Sequence, residues 1–300
     1  MKKFLLAVVF FAITTTTFSQ RLLSWTPEFP NDNSTMTVTV DCTKGNQGLF
    51  NYANTSDVYV HVGVNTNLST GPGDWKYVKF PNFNAPTPAA QATSLGNNRY
   101  SYTITNIRTF FGVPAGETIN KVNIIFRTGN GSLKQVNSDN SDMYIPVYVT
   151  GQFAVRLNLP PFEPRFIPYA EPLNLVVGNT VNITGVASNN AALTIKFNGT
   201  TVNTAASATT LSGTATVATQ CEQKIVFEGN GGSGIKKDSF GFYITPTQTV
   251  AALPAGAIEG INYLPGNTSA TLVLYAPNKT SVNVIGDFNN WTSTCAGQMN

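Results

Sequence analysis

Charged side chains are scarce in this sequence: Asp, Glu, Lys and Arg make up 11% of its 300 residues, against roughly a quarter in ordinary soluble domains. Disorder of the highly charged kind is therefore excluded. The formal net charge is +3, and Lys2 and Lys3 supply two of those charges. No Lys/Arg run remains that could neutralise a phosphate backbone or an anionic membrane surface, so neither nucleic acid nor membrane is an expected partner. Histidine occurs once, at His61, and cysteine three times, at Cys42, Cys221 and Cys295. No CxxC and no Cys/His cluster exists, which argues against zinc. The cysteines fall one into each block outlined below and their count is odd, so they read as isolated thiols rather than staples. Helical periodicity is nearly absent, and GxSxG, HExxH and a Gly-rich phosphate loop are missing. No cofactor or metal is expected.

What is present begins with an export signal. Lys2-Lys3 precedes a ten-residue apolar run, Phe4 to Ile13, too short to span about 30 Å of hydrocarbon. Thr17-Phe18-Ser19 then sets small residues for cleavage before Gln20. Residues 1–19 are expected to be a signal peptide, which places the chain outside the cytoplasm: extracellular, at the cell surface or in the periplasm. No later apolar run reaches the length of a membrane helix.

The rest alternates with period 2. Met36, Val38 and Val40 interleave with Thr; Val58, Val60, Val62 and Val64 interleave with Tyr59, His61 and Gly63. Tyr100/Tyr102/Ile104, Val122/Ile124/Phe126 and Ile145/Val147/Val149 repeat the pattern. Short runs ending in Gly, Asn, Asp or Pro predict tandem antiparallel β-sandwiches, immunoglobulin-like or carbohydrate-binding-module-like. The first block covers 21–150. A Pro-rich stretch, Leu159 to Pro168, reads as a linker or edge. A second, immunoglobulin-like block covers 151–248, with stripes at Leu173/Leu175/Val177, Leu193/Ile195/Phe197, Ile225/Phe227 and Phe240/Phe242/Ile244. Asn198-Gly199 predicts a type I′ hairpin turn. A third block begins near residue 255, and strands are expected at Thr271–Ala276 and Ser281–Ile285. Too few strands remain before Asn300 to close a sandwich, so this block is expected to be the start of a longer domain.

The third block carries a family resemblance. It reads Gly260-Ile261-Asn262-Tyr263, then Leu272-Val273-Leu274-Tyr275-Ala276-Pro277, then Val282 to Ile285 followed by Gly286-Asp287-Phe288-Asn289-Asn290-Trp291. This resembles the N-terminal β-sandwich of glycoside hydrolase family 13 enzymes, related to carbohydrate-binding module family 48. The resemblance implies a parent enzyme of α-amylase type acting on starch or related α-glucans, with its catalytic (β/α)8 barrel farther along in cis. It also puts Trp291 either against a pyranose face or in packing. Glycoside hydrolysis needs two carboxylates about 5–9 Å apart. The acids here are scattered over β-blocks, with no helix–strand alternation to build a barrel, so these 300 residues are expected to be non-catalytic.

Sugar binding is then the activity to look for in the first block. Asp57 to Gly63, followed fourteen residues after His61 by Trp75, resembles starch-binding modules of families 25 and 26. That resemblance implies a glucan site at Tyr59, His61 and Trp75. By alternation Tyr59 and His61 share the face opposite the valines, where they either meet sugar or merely cover a sheet. Asn65, Asn67, Lys76 and Asn97 could hydrogen-bond hydroxyls. Asp139 and Asp142 lack the spacing of a calcium loop and read as a solvated turn. Two alternatives stay open beside the enzyme reading: a cell-surface starch-binding protein without activity, and a structural or adhesive β-array.

Overall fold

In the first unit, β1 (Leu23–Thr26), β2 (Met36–Asp41), β3 (Val58–Thr66), β4 (Lys76–Lys79), β5 (Thr93–Gly96), β6 (Arg99–Ile104), β7 (Ile119–Thr128), β8 (Lys134–Gln135) and β9 (Met143–Pro146) form two antiparallel sheets. The computed structural model describes residues 21–167, 171–173, 175–232, 234–244, 252–279, 282–289 and 295–299. The expected signal peptide and Trp291 lie outside the described residues. One sheet is four-stranded, in the order β1-β2-β6-β5; the other is five-stranded, β4-β3-β7-β8 with β9 also on β7.

The alternation seen in the sequence builds the core between them. Met36, Val38 and Val40 come from β2, the four valines Val58 to Val64 from β3, and Val122, Ile124 and Phe126 from β7; all are fully buried. Each such side chain contributes about 1.5–3 kcal/mol by leaving water. Val149, in contrast, is exposed, because β9 stops at Pro146. The short helix α1 (Ile107–Phe111) was not anticipated. The Asn106 side chain accepts from the Thr109 amide at its start, and Gly112, at φ 73°, ends it.

The chain divides by contact into Met1–Thr150 with Pro161–Phe166, and Gly151–Pro160 with Ile167–Asn300. Most of the Pro-rich stretch thus belongs to the first unit instead of linking two. The Tyr144 amide donates to the Pro164 carbonyl at 2.8 Å, and Arg165 ion-pairs with Asp139 and Glu163.

The second unit holds β10 (Val155–Leu159), β11 (Glu171–Pro172), β12 (Thr180–Phe197), β13 (Thr200–Thr216), β14 (Cys221–Asn230) and β15 (Ile235–Ile244). Their order is β10-β12-β14-β15-β11, with β13 also on β12. Strand β12 changes neighbour along its length, from β10 around Gly185 to β14 beyond Ala192, while β13 follows it throughout. A Cβ at Gly185 would collide with the Phe227 ring, so this position has to be glycine. The predicted hairpin is present: Asn198 and Gly199 have φ of 48° and 83°, the positive values a type I′ turn requires. The stripe Leu173/Leu175/Val177 forms no strand. The Leu175 amide turns back to the Leu173 carbonyl, and Val176 and Val177 are exposed.

The third block forms its own two-stranded sheet within this unit, β16 (Gly260–Tyr263) with β17 (Ala270–Val273). Ile261, Tyr263 and Leu272 share one face of it and are 60%, 69% and 41% exposed. The reading of three isolated thiols is corrected for two of them. Cys221 and Cys295 are joined in a disulfide, with Cα atoms 5.5 Å apart. A proposed boundary between second and third blocks had set these residues in separate domains, and sequence distance hid that they meet. Cys42 alone is free and buried.

Candidate glycan-contact face

The face of the five-stranded sheet turned away from the core carries the residues singled out in the first block. Strand pairing sets Tyr59 beside Arg127, His61 beside Ile125, and Gly63 beside Asn123, with Tyr144 on the far side of Asn123. Trp75, just before β4, leans over Gly63. A Cβ there would lie 3.2 Å from the indole, so glycine is what lets the ring approach.

The structure brings Trp75 and His61 together and leaves Tyr59 one step away. The His61 and Trp75 rings stack at 5.6 Å between centroids with 27° between planes. Phe83 meets His61 edge-on at 5.3 Å. The Arg127 guanidinium lies 5.2 Å from the Phe83 ring and 5.8 Å from the Tyr59 ring. Tyr59, His61 and Trp75 are each half-buried. Tyr59 and His61 do lie on the face opposite the valines, but the segment carrying Phe80 and Phe83 packs against His61 and keeps the pair from standing open.

Arg127 holds that segment down. It is 0% exposed, and its guanidinium donates to the carbonyls of Asn82 at 3.2 Å and Ala85 at 3.1 Å, and to those of Thr128 and Gly129. Sequence reasoning missed it, as it missed Phe83, Asn123 and Tyr144. The available signal was an arginine directly after the apolar residues Ile124-Ile125-Phe126.

Burial disfavours charge on His61 and on Asp142. Burial pushes the His61 pKa below its ordinary value and the nearby Arg127 charge adds to this, while the Phe80 carbonyl and Asp142 oppose. The His61 Nδ1 lies 3.3 Å from the Phe80 carbonyl, where an N–H on that nitrogen donates. Asp142 is raised by burial, against the pull of Lys134 and His61.

The polar candidates are mostly occupied. Asn65 Nδ2 donates to the carbonyls of Gly71 and Asp74, and Asn67 Oδ1 accepts from the Thr118 amide. Lys76 pairs with Asp74 at 2.9 Å. Asn97 sits in the turn between β5 and β6, in the other sheet. The Asp139 turn is ion-paired to Arg165 rather than simply solvated. Among the described residues no cluster of three His, Cys, Asp or Glu side chains could hold a metal ion. Nor is any described helix long and apolar enough to cross a membrane.

No family model matches this chain, and no curated protein does. Among solved structures, the fibronectin(III)-like modules of Clostridium thermocellum CbhA are similar at 11% identity, over 74% of this chain and 93% of that one, with a TM-score of 0.24. The all-β architecture stands on the strand pairing itself.

Proposed function

We propose that this chain is a non-catalytic N-terminal region of an exported enzyme acting on starch or a related α-glucan, and that its first unit contacts the glucan through Trp75. The observation that carries the reading is the half-buried Trp75 ring, supported from beneath by His61 and Gly63. An indole held in this way offers a broad apolar surface for the C–H face of a pyranose at little conformational cost. The near-neutral, hydroxyl- and amide-rich surface suits an uncharged ligand. The motif running to Trp291 supports the enzyme context. The exposed apolar face of β16–β17 fits a module that packs against further chain.

A second reading has its own observation. Arg127 and Phe83 cover Tyr59 and His61, as a face that is only structural would require. Two substitutions separate the readings. Trp75→Ala removes the ring, and Trp75→Tyr keeps an aromatic face. In the glucan reading the wild-type chain is retarded on a starch affinity gel, Trp75→Ala abolishes retardation, and Trp75→Tyr preserves part of it. Free passage of the wild type through amylose and starch, with a stability loss of about 3–5 kcal/mol for Trp75→Ala, would leave the face as packing only.

A further inference from the structure

Beside Gly63, against which Trp75 packs, lies a buried polar side chain without a hydrogen-bond partner. Asn123 is 0% exposed, and both its amide atoms, Oδ1 and Nδ2, lack a hydrogen-bond partner. Strand pairing sets it between Gly63 and Tyr144 on the outer face. Asn65, one step along β3 on the same face, is buried too. Its Nδ2 is engaged but its Oδ1 has no partner. Buried polar side chains are almost always paired, so an amide with neither atom bonded, beside a second with an open Oδ1, marks a place where hydroxyl groups can bind.

The roof over them is a small loop. Residues 67–74 include Gly71, Pro72 and Gly73, and a Cβ at either glycine would meet nothing within 4 Å. The Asn65 amide bonds to Gly71 and Asp74, and the Tyr144 hydroxyl donates to the Pro72 carbonyl at 3.1 Å. Lifting the loop breaks these bonds to Asn65 and Tyr144, the residues that flank Asn123 on this face. The nearby cations are already engaged: Lys121 with the Phe166 carbonyl and ring, Arg127 with backbone carbonyls. An anion would find no available charge there. Amide donors and acceptors beside aromatic rings fit a neutral polyhydroxyl compound.

We propose that Asn123, with the Oδ1 of Asn65, is a hydroxyl-recognition site beside Trp75, reached when loop 67–74 lifts, and that it takes one glucosyl unit of a neutral glucan. This inference rests on the glucan reading and adds its polar half. The test uses the full chain, maltoheptaose and a starch affinity gel, with Asn123→Leu, branched at the same carbon but larger and apolar, and Asn123→Ser, smaller and still polar. Both variants should bind at least about tenfold more weakly. The melting temperature of Asn123→Ser should match the wild type, since an unpaired amide leaves the interior, while the extra volume of Asn123→Leu offsets that gain. Should Asn123→Leu fail to fold, Asn123→Ser decides. Unchanged affinity in the variants, with a wild type that binds, overturns this site and leaves the glucan reading standing. Lowered melting temperatures in both variants assign the amide to an internal water and overturn the site. A wild type that ignores maltoheptaose and starch overturns both.

Discussion

His61 shows how one buried side chain makes stability depend on pH. In the unfolded chain it takes up a proton near pH 6.5. In the folded chain burial, aided by Arg127, delays protonation to lower pH. Between those two values the unfolded state binds more protons, so stability is full above about pH 6.5 and is lost as pH falls toward the folded value. Asp142, raised by burial, works in the opposite sense on acidification, so the His61 contribution has to be isolated by difference. The melting temperature of His61→Gln minus that of the wild type should rise as pH drops from 7 through this window. A difference that stays constant would show that His61 titrates alike in both states. Cys42 makes the complementary case: burial, with Asp41 adding to it, pushes its thiol up to about 12, so it is no nucleophile at neutral pH.

At the scale of elements, the outer face of the five-stranded sheet depends on Arg127 more than on any residue the sequence singled out. Its side chain ties the segment around Asn82 and Ala85 to β7. Arg127→Met keeps much of the volume but leaves those carbonyls without donors. It should cost about 2–4 kcal/mol in urea-induced unfolding of the first unit. A loss below about 0.5 kcal/mol would mean that the segment is held some other way. The core face was legible in the sequence, because Val58 to Val64 and Val122 to Phe126 obey a period of 2 and these apolar positions are all fully buried. The hairpin at Asn198-Gly199 was legible because its backbone needs two positive φ values that few residue pairs supply. The covering of Tyr59 and His61 was not. It depends on a non-local loop pinned by backbone carbonyls, and carbonyls leave no mark in sequence. The stripe at Leu173 to Val177 misled for a related reason: alternation next to Pro172 cannot distinguish a strand from a turn.

At the scale of the whole molecule, two β units carry the chain, and the Cys221–Cys295 disulfide ties the third block into the second unit. What the account requires is that the first unit meet a glucan at one defined face. The most direct measurement follows the indole N–H resonances of the 15N-labelled chain as maltoheptaose is added. Trp25 lies in the four-stranded sheet, its indole donating to the Glu28 carbonyl, and serves as the internal control. The account predicts that the Trp75 resonance shifts progressively and saturates while the Trp25 resonance stays in place. A Trp75 resonance that does not move up to the solubility limit of the ligand, or one that moves only together with Trp25, would contradict it.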